Sequence, residues 1–177
     1  LPVCVRLGFD SKLAQDKSLP TTACATMTTA DADLSLPACP TWILPNQDSI
    51  GYYRMRLQGD LLPKLLAKAA TLSLPERIGL LGDINALVLS GDVPKSQALE
   101  LAATLAKDKH RQIVDETLGA VDSIDDMVPD ALRGNYERFV RTLYGARARE
   151  LTWRSKPGED ANTKQLRPRL LAMVAIQ

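Results

Sequence analysis

The sequence predicts an α+β fold in which a short antiparallel β-sandwich portion, residues 1–58, precedes a mostly helical domain, residues 59–177. Up to residue 58, apolar and polar side chains alternate in short runs that prolines interrupt, which is typical of half-buried strands and turns. From Gly59 onward, apolar residues recur with the helical period and the connections are short. Several antiparallel helix pairs in series indicate an α-solenoid of the armadillo or HEAT kind.

Three runs carry the predicted strands. PVCVRLG, residues 2–8, is the first, and ACATMTTADADLSL, residues 23–36, is a second extended segment rich in small and β-branched residues. PTWILPNQDSIGYYRMRL, residues 40–57, predicts a hairpin around a polar turn at residues 46–51. The alternation puts Trp42 and Leu44 on one face before the turn; after it, Tyr53, Met55 and Leu57 oppose Tyr52, Arg54 and Arg56.

Six helices are predicted after the hairpin. LLPKLLAKAA forms a short first helix, and Ser73-Leu-Pro-Glu76 is a capping box that begins the second, which ends at Gly91. Asp92 is expected to cap the third helix. The predicted apolar stripes are Leu80, Leu81, Ile84, Leu87 and Val88; Ala98, Leu101, Ala102, Leu105 and Ala106; Ile113, Val114, Leu118 and Val121; Leu132, Tyr136, Phe139, Val140 and Leu143, in a helix from about Pro129 to Leu151; and Leu166, Leu170, Met173 and Val174. Pro168 predicts a kink or a late start in the sixth helix.

Charge and hydropathy exclude several classes of partner. Lys and Arg number 22 against 21 Asp and Glu, a net charge of +1, so we expect no nucleic acid and no anionic membrane surface as partner. No apolar run approaches the ~20 residues of a membrane helix.

The two ends of the sequence indicate a piece of a longer chain. It starts without Met and ends in the apolar run LLAMVAIQ, so we expect an uncovered solenoid end that can self-associate.

The three cysteines, Cys4, Cys24 and Cys39, all lie in the first quarter of the chain. Their odd number and irregular spacing fit neither a disulfide framework nor a zinc knuckle. We therefore expect small buried thiols, with a single Cys24–Cys39 bridge as the alternative.

Residue chemistry indicates no catalytic, cofactor-binding or metal-ligating residue. The one histidine, His110, lies in the charged run KDKHRQ and is expected to be a solvated surface residue. Zinc hydrolysis needs two histidines one helical turn apart, and neither HExxH nor GxSxG, GxGxxG or a P-loop occurs.

Three charged clusters have structural explanations. Asp122, Asp125, Asp126 and Asp130 lack the glycine and terminal glutamate of an EF-hand, so a solvated loop that caps the next helix is expected. Arg147, Arg149 and Glu150 are expected on the wet face of the fifth helix. The basic groups of RPRLL, Arg167 and Arg169, are expected to be surface charges, with a role towards a ligand carboxylate as the alternative.

Four blocks in register carry a resemblance. WILPN, GYYRMRL, SLPERIGLLGDINALVLSG and LTWRSKPGED followed by TKQLRPRLL resemble the C-terminal region of aminopeptidase N-type zinc metallopeptidases, over residues 42 to about 173. The resemblance implies that residues 1–58 end a β-sandwich and that residues 59–177 begin a helical-repeat domain. The chain departs from the usual pattern at LRPRL, where proline interrupts a helix.

The resemblance also implies a function. The parent enzyme would remove N-terminal amino acids from peptides with a zinc ion held by its catalytic domain, whereas this part would shape and close the peptide chamber. The expected partners are the catalytic domain of the same chain and peptide substrates, and no zinc or catalytic residue of the family has a matching position here. The resemblance assigns no compartment. The alternative hypothesis is a free-standing helical-repeat module that binds proteins.

Overall fold

The computed structural model describes residues 1–176, and its contacts divide the chain into two compact units, Leu1–Asp83 and Ile84–Gln177. The predicted domain boundary at residue 58 concerns the organisation of a longer protein and stays a prediction. Within the described residues, no helix combines the length and the hydropathy needed to cross a bilayer.

The first unit contains a three-stranded antiparallel sheet. Its strands are β1 (Pro2–Gly8), β2 (Thr22–Thr26) and β3 (Trp42–Leu44), in the order β2-β1-β3. The central strand pairs Cys4 with Cys24 on one side and Arg6 with Leu44 on the other. Val5, Leu7 and Leu44 are buried. The prediction of antiparallel strands is confirmed, and a second layer that would make a sandwich stays a prediction.

The predicted hairpin over residues 40–57 is wrong in its pairing. β3 pairs with β1, and residues 52–57 belong to no strand. The predicted faces are nevertheless correct, since Met55 is buried and Tyr52 is fully exposed. After the turn, the Tyr53 hydroxyl donates to the Pro45 carbonyl at 2.6 Å, so a side chain and not a strand ladder links this segment to the end of β3.

The cysteine expectation is also wrong. Cys4 and Cys24 form a disulfide between directly opposed positions of β1 and β2, and Cys39 is an exposed free thiol. The strand register explains why Cys24 does not reach Cys39. The Thr41 amide donates to the Gly8 carbonyl, so Cys39 lies beyond the far end of β1, roughly 13 Å along the strand from Cys4.

Within residues 1–176, six α-helices follow the sheet. They are α1 (Leu61–Leu66), α2 (Leu74–Leu89), α3 (Lys95–Leu105), α4 (Arg111–Asp122), α5 (Asp130–Leu151) and α6 (Ala161–Ile176). Gly91 has φ +80° and ends α2 as predicted. Asp92 does not cap α3, because Pro94 holds that position and the Asp92 carboxylate accepts from the Ser90 hydroxyl at 2.7 Å. The late start predicted for the sixth helix is wrong, since α6 runs through Pro168.

The apolar stripes form the cores of the two units. The stripes of α3 and α4 are buried throughout, as predicted. In α5 the predicted Leu132 is half-exposed, whereas Tyr144, which the prediction left out, is fully buried. In the second unit, α3, α4, α5 and α6 share a cluster that includes Leu118, Val140 and Leu170. A solenoid arrangement of these helices stays a prediction.

Candidate functional site

The N-terminus of α2 is organised around the buried carboxylate of Glu76. The Ser73 amide donates to Glu76 Oε2 at 2.8 Å, and the Glu76 amide donates to Ser73 Oγ at 3.4 Å, which confirms the predicted capping box. The same carboxylate accepts a hydrogen bond from Arg6 of β1 and one from the Asp48 amide. One side chain therefore joins the sheet, the turn after β3 and the start of α2.

The turn at residues 46–51 is held rigidly against α2. The Asn46 side chain donates to the Gly51 carbonyl at 3.0 Å and accepts from the Gly51 amide at 2.8 Å. Asp48 and Ser49 both adopt φ +54°, which side chains other than glycine rarely do. The Ser49 hydroxyl donates to the Pro75 carbonyl at 2.8 Å, so the turn is fastened to α2 by hydrogen bonds as well.

Gly79 lets this turn approach α2 closely. A Cβ atom at Gly79 would lie 2.2 Å from Ser49 Oγ, inside van der Waals contact. One turn further along α2, a Cβ atom at Gly82 would lie 3.0 Å from Nη1 of Arg54. The two glycines of LLGD and RIGLL thus serve packing, which explains their presence in a helix interior despite the propensity cost.

Arg54 and Asp83 form the polar end of the site. Arg54 Nη1 donates to Asp83 Oδ1 at 3.1 Å, and the Asp83 side chain is 6 % exposed against 66 % for Arg54. Burial raises the pKa of Asp83, while the Arg54 hydrogen bond partly opposes that rise. The guanidinium thus faces solvent while it pairs with a buried carboxylate.

A cleft opens beside this pair. Its volume is about 420 Å³, and its lining includes Asn46, Ser49, Tyr52, Tyr53, Arg54 and Asp83. Burial raises the pKa of Tyr53, which keeps its hydroxyl a donor to Pro45. The cleft offers two aromatic rings, one guanidinium and one buried carboxylate, a set suited to recognising a polar group. The residues that line it include no Ser–His or Cys–His pair for nucleophilic catalysis.

The structure separates the charged residues that the sequence singled out. His110 is only 30 % exposed, and its Nδ1 lies 2.9 Å from Asp108 Oδ1, so the expected solvated histidine is wrong. Arg147 is half-buried and donates to the Asp108 carbonyl at 2.7 Å, contrary to the expected wet position. Arg149 and Glu150 are exposed as predicted.

Only Asp125 and Asp126 of the acidic cluster lie in the loop between α4 and α5, since Asp122 ends α4 and Asp130 begins α5. Asp122, Asp126 and Asp130 are exposed, and Asp125 accepts from Arg133 at 2.5 Å. Pro129 occupies the N-cap of α5 without a side-chain cap, so the predicted capping role is wrong. Within residues 1–176, no group of three or more His, Cys, Asp and Glu side chains is placed to hold a metal ion.

Arg167 is a buried structural residue and not the expected surface charge. It is 7 % exposed, pairs with Glu159, and donates from Nε to the Thr152 carbonyl at 3.1 Å. The hydrogen bond from Arg167 lowers the pKa of Glu159. Arg169 is more than half exposed and lies 3.4 Å from Asp115, as suits a surface charge. The alternative role of this pair towards a ligand carboxylate has no support at Arg167, whose donors are occupied within the fold.

The described residues are mostly helical, with a small antiparallel sheet at the start. The residues that line the cleft do not form a catalytic centre. The family model of the ERAP1-like C-terminal domain matches residues 42–177, and the chain belongs to this family. The resemblance to the C-terminal region of aminopeptidases is thereby confirmed.

Named relatives agree with this assignment. The chain is 26 % identical over 140 residues to "Puromycin-sensitive aminopeptidase" of Caenorhabditis elegans, covering 76 % of this chain and 15 % of the relative. It is 26 % identical over 177 residues to "Aminopeptidase 2" of Candida albicans, covering 97 % of this chain and 18 % of the relative. It is 29 % identical over 136 residues to "Aminopeptidase M1-C" of rice, Oryza sativa subsp. japonica, covering 73 % and 15 %. The chain thus spans less than a fifth of the length of these relatives.

Sequence reasoning missed the long-range ion pairs at α2, Arg6–Glu76 and Arg54–Asp83. Glu76 was recognised as a capping residue, but its partner Arg6 is 70 positions away and shares no local pattern with it. Arg54 was placed correctly on the exposed face of its segment, and the polar Asp83 within the otherwise apolar stripe of α2 was the one signal that a buried partner was needed.

Proposed function

We propose that this chain is part of a zinc-dependent aminopeptidase that removes N-terminal amino acids from peptides. The observation that carries the proposal is the family match over residues 42–177, together with relatives whose names describe aminopeptidases. The reaction itself belongs, on this proposal, to a catalytic domain of the same chain.

The role proposed for these residues is to shape and close the chamber in which peptides are held. Helical-repeat surfaces curve, and a curved wall beside an active site admits peptides while excluding folded proteins. Rigid anchoring supports such a role, because a wall can select by shape only if its angle is fixed. Glu76, Ser49 and Asp83 provide three anchors between α2 and the preceding segment.

Zinc does not fit the described part of this chain. Since residues 1–176 bring together no suitable group of His, Cys, Asp and Glu side chains, no step of the reaction is assigned to them. The zinc of the proposed parent would be held by its catalytic domain. Self-association through the end of the helical domain stays a prediction, which light scattering over a range of concentrations tests.

The proposal is tested on the protein that contains the complete reading frame. Arg54→Met and Asp83→Ala, which loosen the anchored turn, are expected to change kcat/KM for long peptides more than for a dipeptide-sized aminoacyl amide, because only long peptides reach the wall. If kcat/KM falls equally for both substrates, the two side chains contribute only to the stability of the fold. That result would contradict the chamber role. The absence of any aminopeptidase activity in the complete protein would overturn the whole proposal.

A further inference from the structure

An apolar groove lies on the second unit between α3 and α5. Each helix presents one face to it with the same spacing, residues i, i+3, i+4 and i+7. The lining residues are Ser96, Leu99, Glu100 and Ala103 from α3, and Leu132, Asn135, Tyr136 and Phe139 from α5, with Ile124 and Val128 at the connecting segment. The groove has a volume of about 470 Å³.

This groove borders the core that the two helices share, since Tyr136 belongs to the core cluster and Leu99 and Phe139 pack against it from the groove side. The α3 core stripe, which includes Leu101 and Leu105, lies on a different face of the helix from Leu99. Leu132 is 50 % exposed and the neighbouring Met127 is 60 % exposed, although both side chains are apolar. An exposed apolar surface of this kind, rimmed by polar residues, is typical of an interaction site.

The dimensions of the groove suit a helix. Seven residues of α3 or α5 span about 10 Å, which is two helical turns. A groove of that length between two helices accepts the apolar stripe of a third helix through two or three side chains. Ser96, Glu100 and Asn135 are exposed at its edges, where they meet the polar flanks of such a helix.

The charged side chains around the groove indicate the charge of the partner that it binds. The segments that line the groove, residues 96–103 and 124–139, carry five acidic and two basic side chains, whereas the whole chain has a net charge of +1. Asp125 pairs with Arg133 and Glu137 with Arg141, and the charges that remain, Arg138 against Glu100, Asp126 and Asp130, are net negative. Glu100 and Asp126 are exposed. The rim therefore attracts a cationic partner and repels an acidic one.

We propose that the groove between α3 and α5 binds an amphipathic helix with an apolar stripe and basic flanks. The stripe enters between Leu99, Leu132 and Phe139, and the basic flanks lie beside Glu100 and Asp126. This inference does not depend on the aminopeptidase proposal, because it rests on the shape and charge of the second unit alone.

The test uses the protein that contains the complete reading frame and a labelled probe peptide of about 14 residues, long enough for two turns in the groove, with leucines at helical spacing and lysine flanks. A matched peptide carries glutamate in place of lysine, and a third carries a central proline that prevents a helix. Fluorescence anisotropy is expected to give a Kd at least about tenfold lower for the lysine peptide than for either control.

Two exposed positions identify the binding surface. Glu100→Lys is expected to raise the Kd of the lysine peptide about tenfold and to lower the Kd of the glutamate peptide. Leu132→Ser is expected to raise the Kd of both peptides. Glu150→Lys makes the same charge change at an exposed position of α5 outside the groove and is expected to leave binding unchanged. Circular dichroism of each variant verifies the fold. Equal effects of Glu100→Lys and Glu150→Lys, tight binding of the proline peptide, or no saturable binding would each overturn the proposal.

Discussion

Arg54 and Asp83 form an ion pair whose two members differ sharply in exposure. Arg54 Nη1 lies 3.1 Å from Asp83 Oδ1, and the carboxylate is almost entirely buried while the guanidinium is largely exposed. Removing the exposed member leaves a buried charge without its counter-ion, whereas removing the buried member leaves a solvated guanidinium. The two positions are therefore expected to respond differently to substitution and to pH.

The first prediction concerns Arg54→Met. Because burial raises the folded-state pKa of Asp83 above 3.8, its contribution to stability is largest below the unfolded pKa and is lost as pH rises through the folded pKa. Loss of Arg54 raises that pKa further. We expect Arg54→Met to lower the free energy of unfolding by about 1 kcal/mol at neutral pH and by less near about pH 4. Urea unfolding at both pH values measures the difference.

The control for this experiment is Arg141→Met. Arg141 and Glu137 form an ion pair one helical turn apart on α5, with both side chains about a third exposed or more. We expect a change below about 0.5 kcal/mol there. A destabilisation by Arg54→Met that is no larger than this, or that does not grow with pH, would contradict a buried Asp83 held by Arg54.

The second prediction concerns Glu76. Glu76→Ala removes the ion pair with Arg6 and leaves the Ser73 amide without its acceptor. We expect the free energy of unfolding to fall by about 2–3 kcal/mol, because both the cap and the tie to the sheet are lost. Glu150→Ala, at an exposed position, is expected to change it by less than about 0.5 kcal/mol. Chemical unfolding of the two variants in parallel gives the comparison, and similar values for both would show that Glu76 is not an anchor.

The third prediction contrasts two helical glycines. A Cβ atom at Gly119 of α4 meets no atom within 4 Å, whereas one at Gly79 would lie 2.2 Å from Ser49 Oγ. Gly119→Ala is expected to raise the free energy of unfolding by up to about 1 kcal/mol, since alanine favours the helix. Gly79→Ala is expected to lower it, because Ser49 must move and lose its hydrogen bond to Pro75.

A double-mutant cycle tests the cause. In a Ser49→Gly background, the obstructing side chain is absent and the backbone at φ +54° is relieved. Gly79→Ala should then be less destabilising by about 1 kcal/mol than in the native background. Additive effects of the two substitutions would mean that the turn does not pack on α2 as described.

The fourth prediction concerns the Cys4–Cys24 disulfide, which joins residues 20 positions apart. In the chain-entropy model, a closed loop of this length stabilises the folded state by about 3 kcal/mol. The double variant Cys4→Ser and Cys24→Ser is therefore expected to unfold at a lower temperature. Cys39→Ser, which removes the free thiol, is expected to leave the midpoint unchanged, and calorimetry under non-reducing conditions measures all three proteins.

Periodicity accounts for what the sequence predicted correctly. The stripe of α4 and the ends of α2 follow from local spacing and from a capping box and a terminal glycine, all of which lie within a few residues. The stripe of α5 was placed less well, because Leu132 faces the groove and Tyr144 fills the core instead.

Long-range pairing accounts for what the sequence did not predict. β3 pairs with β1 and not with residues 52–57, and no local pattern distinguishes these two registers. The Cys4–Cys24 bridge follows only once β1 and β2 are paired. Likewise, Arg147 and Arg167 look like surface charges in sequence, yet each donates to backbone carbonyls of a distant segment.

The assignment of the chemistry to another domain is tested by the metal content and the activity of the 177-residue chain on its own. We expect less than stoichiometric zinc by mass spectrometry after dialysis against the metal, and no release of fluorophore from aminoacyl reporter amides. One zinc ion held per chain, with turnover that a chelator abolishes, would contradict the assignment of the chemistry to another domain.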